Sequence, residues 1–190
     1  MNKTTTIIVS IVAVLVIIVG IGVSMYNGII SAEENVDAQF AKVETQLQRR
    51  FDLIPNLVSA TQGYMEHEKE VFTSIADSRS KLAGATTVNE KVEASNELEG
   101  ALSRLLAITE NYPELKADAQ FTALTDELAG TENRIAVERN RYNDEVKVFN
   151  AKIRRFPSSL IASMMGVEKR DYFEATAGAE QAPSVDFSNE

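Results

Sequence analysis

From Ile7 to Tyr26 the chain reads IIVSIVAVLVIIVGIGVSMY, twenty residues without a charge. Wound as an α-helix at about 1.5 Å per residue, such a run covers about 30 Å, the thickness of a bilayer's hydrocarbon core. Within that core every backbone N–H and C=O must find a partner, which a lone segment achieves only as a helix. A transmembrane helix is therefore expected over residues 7–26, after a short segment of residues 1–6. A cleaved signal peptide is the competing reading, with Gly22-Val23-Ser24 as a small-x-small cleavage site. The run exceeds the roughly 7–15 apolar residues of a signal peptide, and Lys3 is its one preceding base, so the segment is read as a retained anchor. Lys3 and the α-amino group precede it, whereas Glu33, Glu34 and Asp37 follow it, with Lys42 the sole base before Arg49. Counting bases, this leaves the N-terminus inside and the following domain on the periplasmic or extracellular side of a cell (inner) membrane.

Composition narrows the chemistry. The chain has no cysteine and one histidine, which removes disulfide frameworks and Cys/His zinc sites. Asp and Glu number 28 against 19 Lys and Arg, so no nucleic-acid partner is expected, since phosphate recognition needs a concentrated basic surface.

Beyond the anchor the apolar pattern is helical throughout. Val36, Phe40, Val43, Leu47 and Ile54 recur at spacings of three, four and seven, giving a helix over residues 27–53. Pro55 interrupts it, and Asp52 is placed to cap a second helix carrying Leu57, Val58, Thr61, Tyr64, Met65, Val71, Phe72, Ile75 and Leu82. Gly84-Ala85-Thr86-Thr87 reads as a loop, and Thr87-Val88-Asn89-Glu90 as a capping box that opens a third helix. Asn111-Tyr112-Pro113 breaks the chain again. In the last helix Phe121, Leu128, Ile135, Tyr142, Phe149 and Phe156 stand seven apart, a repeat that suits coiled-coil-like bundle packing, and Pro157 ends it.

This pattern predicts an all-α chain: an N-terminal transmembrane helix and an elongated antiparallel bundle over residues 27–157. If Pro55 and Pro113 are turns, four helices run up and down; if they are kinks, two very long helices form a hairpin. Either way the last helix comes back toward the bilayer. Residues 158–173 follow as an amphipathic segment with Leu160, Ile161, Met164 and Met165 grouped on one side, either a cap on the bundle end or a membrane or oligomer contact. Residues 174–190, rich in Ala, Gly, Glu, Pro and Ser, are expected to be a disordered tail, with a brief alternation at Pro183–Phe187.

The block Leu47-Gln48-Arg49-Arg50-Phe51-Asp52-Leu53-Ile54-Pro55-Asn56-Leu57-Val58, with Gly63-Tyr64 and His67-Glu68 after it, resembles the LemA family. So do Glu110-Asn111-Tyr112-Pro113-Glu114-Leu115-Lys116-Ala117 and the third block, Thr131–Ile135 through Arg139, Tyr142-Asn143, Phe149-Asn150 and Phe156-Pro157. The resemblance runs from the anchor to the tail and implies a bacterial membrane protein with an antiparallel four-helix bundle and no assigned molecular activity. It also implies an N-terminus outside, opposite to the side the base count favours.

No catalytic motif emerges. His67-Glu68-Lys69-Glu70-Val71 begins like a zinc-protease helix, but its second histidine would fall on Val71. There is no G-x-S-x-G and no phosphate-cradling glycine loop, so neither enzyme activity nor a cofactor is expected. Two groups of residues are singled out instead. Glu132 and Arg139 lie on the last helix's apolar stripe, and Arg50 stands where the first expects an apolar residue. With Arg49, Asp52 and Glu110 they are read as a structural polar network, with Glu138 as a solvated reference, because a buried charge needs a partner. Gly20, Ser24 and Gly28 form a small-residue face on the anchor that permits close helix approach. With the 158–167 segment, that face predicts a self-associating membrane scaffold, a homo-oligomer larger than a dimer. The alternative is a membrane-tethered module that binds an unknown protein through a bundle groove or its membrane-distal polar end.

Overall fold

The computed structural model describes residues 3–65 and 67–173. It is all-helical, with no strand among the described residues. Six helices follow in order: α1 Lys3–Gln62, α2 Lys69–Gly84, α3 Val88–Thr109, α4 Pro113–Lys116, α5 Ala119–Arg154 and α6 Ser158–Met165. The expected tail over 174–190, with Pro183–Phe187, lies outside the described residues, as does Glu66.

The first correction concerns α1. It starts at Lys3, ahead of the apolar run, and continues for 60 residues with Pro55 inside it. Asp52 therefore caps nothing and accepts a hydrogen bond from Gln48 Nε2 of the same helix at 2.8 Å. A proline within a helix removes one backbone hydrogen bond and costs about 3 kcal/mol. Ile54 and Leu57, on either side of it, are fully buried, and burying each stabilises by about 1.5–3 kcal/mol, which offsets that cost. Of the two alternatives for Pro55, the helix continues through it, and the chain turns between Gln62 and Lys69, where the N–H groups of Tyr64 and Met65 both turn back to the carbonyl of Thr61.

The other punctuation follows local chemistry. Thr87 caps α3 in a full capping box: its hydroxyl accepts the Glu90 N–H while the Glu90 carboxylate accepts the Thr87 N–H. Pro113 opens α4, where its missing N–H costs nothing. α6 ends on Gly166, whose φ of 69° is the left-handed conformation that glycine adopts without strain.

The chain divides into two compact units. One comprises α1 through Gln46 together with Arg134–Tyr172. In it α1 and α5 run antiparallel, since Gly28 meets Lys152 and Gln39 meets Glu138. Its buried residues include Ile29, Val36 and Val43 from α1, and Ile135, Tyr142, Val146 and Phe149 from α5. The α1 stripe has the expected helical spacing, and α5 keeps the predicted heptad positions buried up to Phe149. Phe156, the last member, is 80% exposed.

The other unit holds, among the described residues, 47–133 and Phe173: the end of α1 with α2, α3, α4 and the start of α5. Its core gathers Ile54, Leu57, Ile75, Leu98, Leu105 and Phe121. Here α2 runs antiparallel to both α1 and α3. Phe51 of α1 stacks beneath the Arg79 guanidinium of α2, Lys81 pairs with Glu97 across α2 and α3, and Glu68 before α2 meets Tyr112 after α3.

Candidate functional site

The residues singled out in the sequence separate into three places. In the unit of residues 47–133, Arg50 is 3% exposed, and its Nη1 stands 2.9 Å from the carboxylate of Glu132, which is 33% exposed. Arg49 and Glu127 pair alongside at 2.7 Å, but both are largely in solvent, where such a pair adds at most about 1 kcal/mol. Asp52 and Glu110 are exposed. Asp52 bonds along its own helix, and Glu110 makes no side-chain bond among the described residues. Arg139 belongs to the other unit, where it is half-buried and engaged. Of the six residues, Arg50 and Glu132 form one ion pair, buried on the arginine side, and Arg49 pairs outside the set with Glu127.

On the anchor, Gly20 and Ser24 are exposed and nothing stands near Gly20. Gly28 differs: Lys152 donates a hydrogen bond from Nζ to its carbonyl, and a Cβ at position 28 would lie 3.1 Å from that Nζ. Its face therefore meets α5 of its own chain. After α5, α6 turns Ala162 inward. Leu160 is 59% and Met164 86% exposed, while Ile161 and Met165 are half-buried. The four apolar residues thus split into an outer and an inner pair.

A further cluster went unmarked in the sequence. After Gly166 the chain runs back over its own unit and is held through its backbone. The Asn150 amide donates to the Arg170 carbonyl at 2.9 Å and accepts the Arg170 N–H at 3.0 Å. Tyr142 donates its hydroxyl to the Asp171 carbonyl at 3.1 Å, and burial pushes its phenol pKa up. The Arg170 guanidinium reaches Glu33 at 3.0 Å and Asp37 at 3.4 Å. Gln39 is likewise buried and donates to the Glu138 carboxylate at 2.6 Å. Glu138 also pairs with Arg141 at 2.7 Å and is only 16% exposed, so it is not the solvated reference residue that was expected. A signal did exist: Gln39 and Asn150 are polar residues on otherwise apolar stripes, and a buried amide must find partners.

Titratable groups elsewhere are engaged by structure. The N–H groups of Thr87 and Thr86 hold the Glu90 carboxyl down to about 2. Its hydrogen bond to Glu97 raises Lys81, and partial burial followed by the charge of Glu68 raises Tyr112. Between α2 and α3 lie open grooves of about 440 and 460 Å³, both lined by Lys81 and Glu97, with Glu90 and Glu93 in one and Glu70 and Asp77 in the other. Among the described residues no three His, Cys, Asp or Glu side chains are grouped to hold a metal ion. His67 is exposed.

Among the described residues one helix, α1, is long and apolar enough to cross a membrane. The chain is 25% identical to the magnetosome proteins MamQ 1 and MamQ 2 of Paramagnetospirillum magneticum over 175 residues, covering 78% of this chain and 64% of each relative. It therefore spans just under two thirds of the length of those relatives. It is 26% identical to magnetosome protein MamQ of Magnetospirillum gryphiswaldense, covering 80% of this chain and 66% of that one. Identity to Protein LemA of Metamycoplasma hominis is 22%, covering 79% and 69%. The LemA family model matches residues 39–187, most of the sequence and all three motif blocks. The chain belongs to the LemA family.

Proposed function

We propose that this protein is a non-enzymatic scaffold, anchored in a bacterial inner membrane by the first part of α1 and self-associating there into an assembly of more than two copies. One observation carries the reading. The apolar run and the packed part of α1 that follows it, through Gln46, belong to one unbroken helix within one compact unit. A loose tether would leave the span free to turn against the domain. A continuous helix instead couples the rotation of the span to the packed helices above it, so contact between spans would set the register of neighbouring domains. Gly20 and Ser24 leave one side of the span low enough for such contact, and repeating a head-to-tail contact about an axis normal to the membrane closes a ring.

The test is the mass of the full chain in mild detergent, beside the variant Gly20→Leu/Ser24→Leu. A defined oligomer for the parent and a smaller species for the variant are expected. Resistance to carbonate extraction and a native N-terminus are expected too, and an N-terminus at Met25 would overturn the anchor.

A second reading, a tethered binding module, draws on the grooves between α2 and α3, whose acidic walls would take a basic partner. A monomer in mild detergent favours it over the scaffold.

A further inference from the structure

Within the unit that carries the anchor, the fold fixes the height of α5 against α1. Lys152 bonds to Gly28, two residues past the last of the apolar run, and α5 descends antiparallel to α1. At about 1.5 Å per residue, its last residue, Arg154, comes level with Tyr26 to within about one turn. Burial on α1 agrees. Residues 4–21 are exposed throughout, but Gly22 and Met25 are half-buried, so the cover already begins inside the apolar run. The chain beyond Arg154 is therefore at the level where the anchor enters hydrocarbon.

Among the described residues outside the anchor, the chain places its three most exposed large apolar side chains there. Phe156, Leu160 and Met164 are all exposed, at 80, 59 and 86%. Leu160 and Met164 stand one helical turn apart on α6, facing away from buried Ala162. The charge reverses as well. The whole chain carries a net −9, yet residues 146–170 hold six bases against one acid, Glu168. Two of the six are engaged, Lys152 with Gly28 and Arg170 with Glu33 and Asp37. Arg154, Arg155 and Lys169 make no ion pair among the described residues. Apolar side chains with long bases beside them are the composition of an interfacial helix, whose apolar face sinks about 5–10 Å while its cations meet anionic headgroups.

We propose that α6 is a second membrane contact: Phe156, Leu160 and Met164 rest in the headgroup–acyl boundary of the bilayer that α1 enters, and Arg154, Arg155 and Lys169 bind anionic headgroups around them. This rests on the anchor reading above but not on self-association. The occupant is lipid rather than a second copy because the flanking charge is cationic and the level is that of the bilayer surface.

The chain has no cysteine, so single nitroxides can be placed by Val12→Cys, Leu160→Cys, Met164→Cys and Ser163→Cys in the full chain. The variants are reconstituted in phosphatidylcholine vesicles with and without roughly 30 mol % phosphatidylglycerol. Labels at 160 and 164 should be several-fold more accessible to oxygen than to a nickel chelate, and more so with phosphatidylglycerol present. Arg154→Gln/Arg155→Gln/Lys169→Gln should abolish the lipid dependence without changing helicity. Water-exposed labels at 160 and 164 beside a lipid-buried label at 12 overturn the proposal and leave the anchor standing. A water-exposed label at 12 overturns both. Labels at 164 that exclude both reagents and broaden one another report contact between copies and also overturn it. Burial independent of phosphatidylglycerol overturns the headgroup role alone.

Discussion

The side-chain amide of Asn150 closes on the main chain of Arg170 from both sides, donating to its carbonyl at 2.9 Å and accepting its N–H at 3.0 Å. This is the hydrogen-bond pattern a neighbouring strand would offer, supplied by one residue of a helix. It gives the segment after α6 a partner for its backbone without a sheet.

Asn150→Ala leaves both of those backbone groups without the amide, and Asn150 itself is buried. An unmet buried polar group costs about 1–3 kcal/mol. The variant should lose about that much in urea unfolding of the full chain, with fast amide exchange at Arg170. Unchanged exchange there would mean that Tyr142 and the Arg170 ion pairs hold the segment without Asn150.

The Arg50–Glu132 pair predicts an asymmetry. Glu132→Leu strands a guanidinium that is 3% exposed, and breaking a buried pair costs about 3–5 kcal/mol. Glu132 is one-third exposed, which puts the expected loss at about 3 kcal/mol, the low end of that range. Arg50→Leu/Glu132→Leu should recover most of it, because no charge is then left alone. Glu110→Leu, at an exposed position, serves as the control in place of Glu138. Equal melting of Glu132→Leu and Glu110→Leu would show that Arg50 finds water.

Acid should leave the start of α3 intact to an unusual degree. The Thr86 and Thr87 N–H groups lower the Glu90 carboxyl from 4.5 to about 2. Its stabilising contribution is therefore fully present above about 4.5 and is lost as pH falls through about 2. Carbon-detected NMR should place the Glu90 midpoint well below the ordinary glutamate value of 4.5. Thr87→Ala removes the reciprocal cap, costs about 1 kcal/mol, and should move that midpoint upward.

Gly20 and Gly28 should behave differently although they share one side of α1. At Gly28 an added methyl meets only the flexible end of Lys152, at 3.1 and 3.3 Å. Gly28→Ala should therefore keep its oligomeric state and gain up to about 1 kcal/mol from helix propensity. Gly20→Leu adds bulk where this chain offers nothing and should lower the mass measured in mild detergent. Dissociation by Gly28→Ala would instead extend the contact between copies down to that residue.

Local and periodic chemistry sufficed for much of this protein. Twenty uncharged residues can cross a membrane only as a helix, and heptad spacing from Phe121 to Phe149 marks a buried stripe in any helical packing. Thr87 and Glu90 form their capping box within a single turn of chain. Pro55 was not decidable in this way. The cost of keeping it in a helix is local, but the offset comes from burying Ile54 and Leu57 among residues as distant in sequence as Leu98 and Phe121. The pairings Gly28–Lys152, separated by 124 positions, and Asn150–Arg170 have the same origin. A hydrogen bond specifies its partner only once the chain's path has brought the two groups within reach. The exposure of Phe156 is also a matter of path: its spacing continues the stripe, but α5 ends two residues before it, so helical register no longer holds it on the buried face.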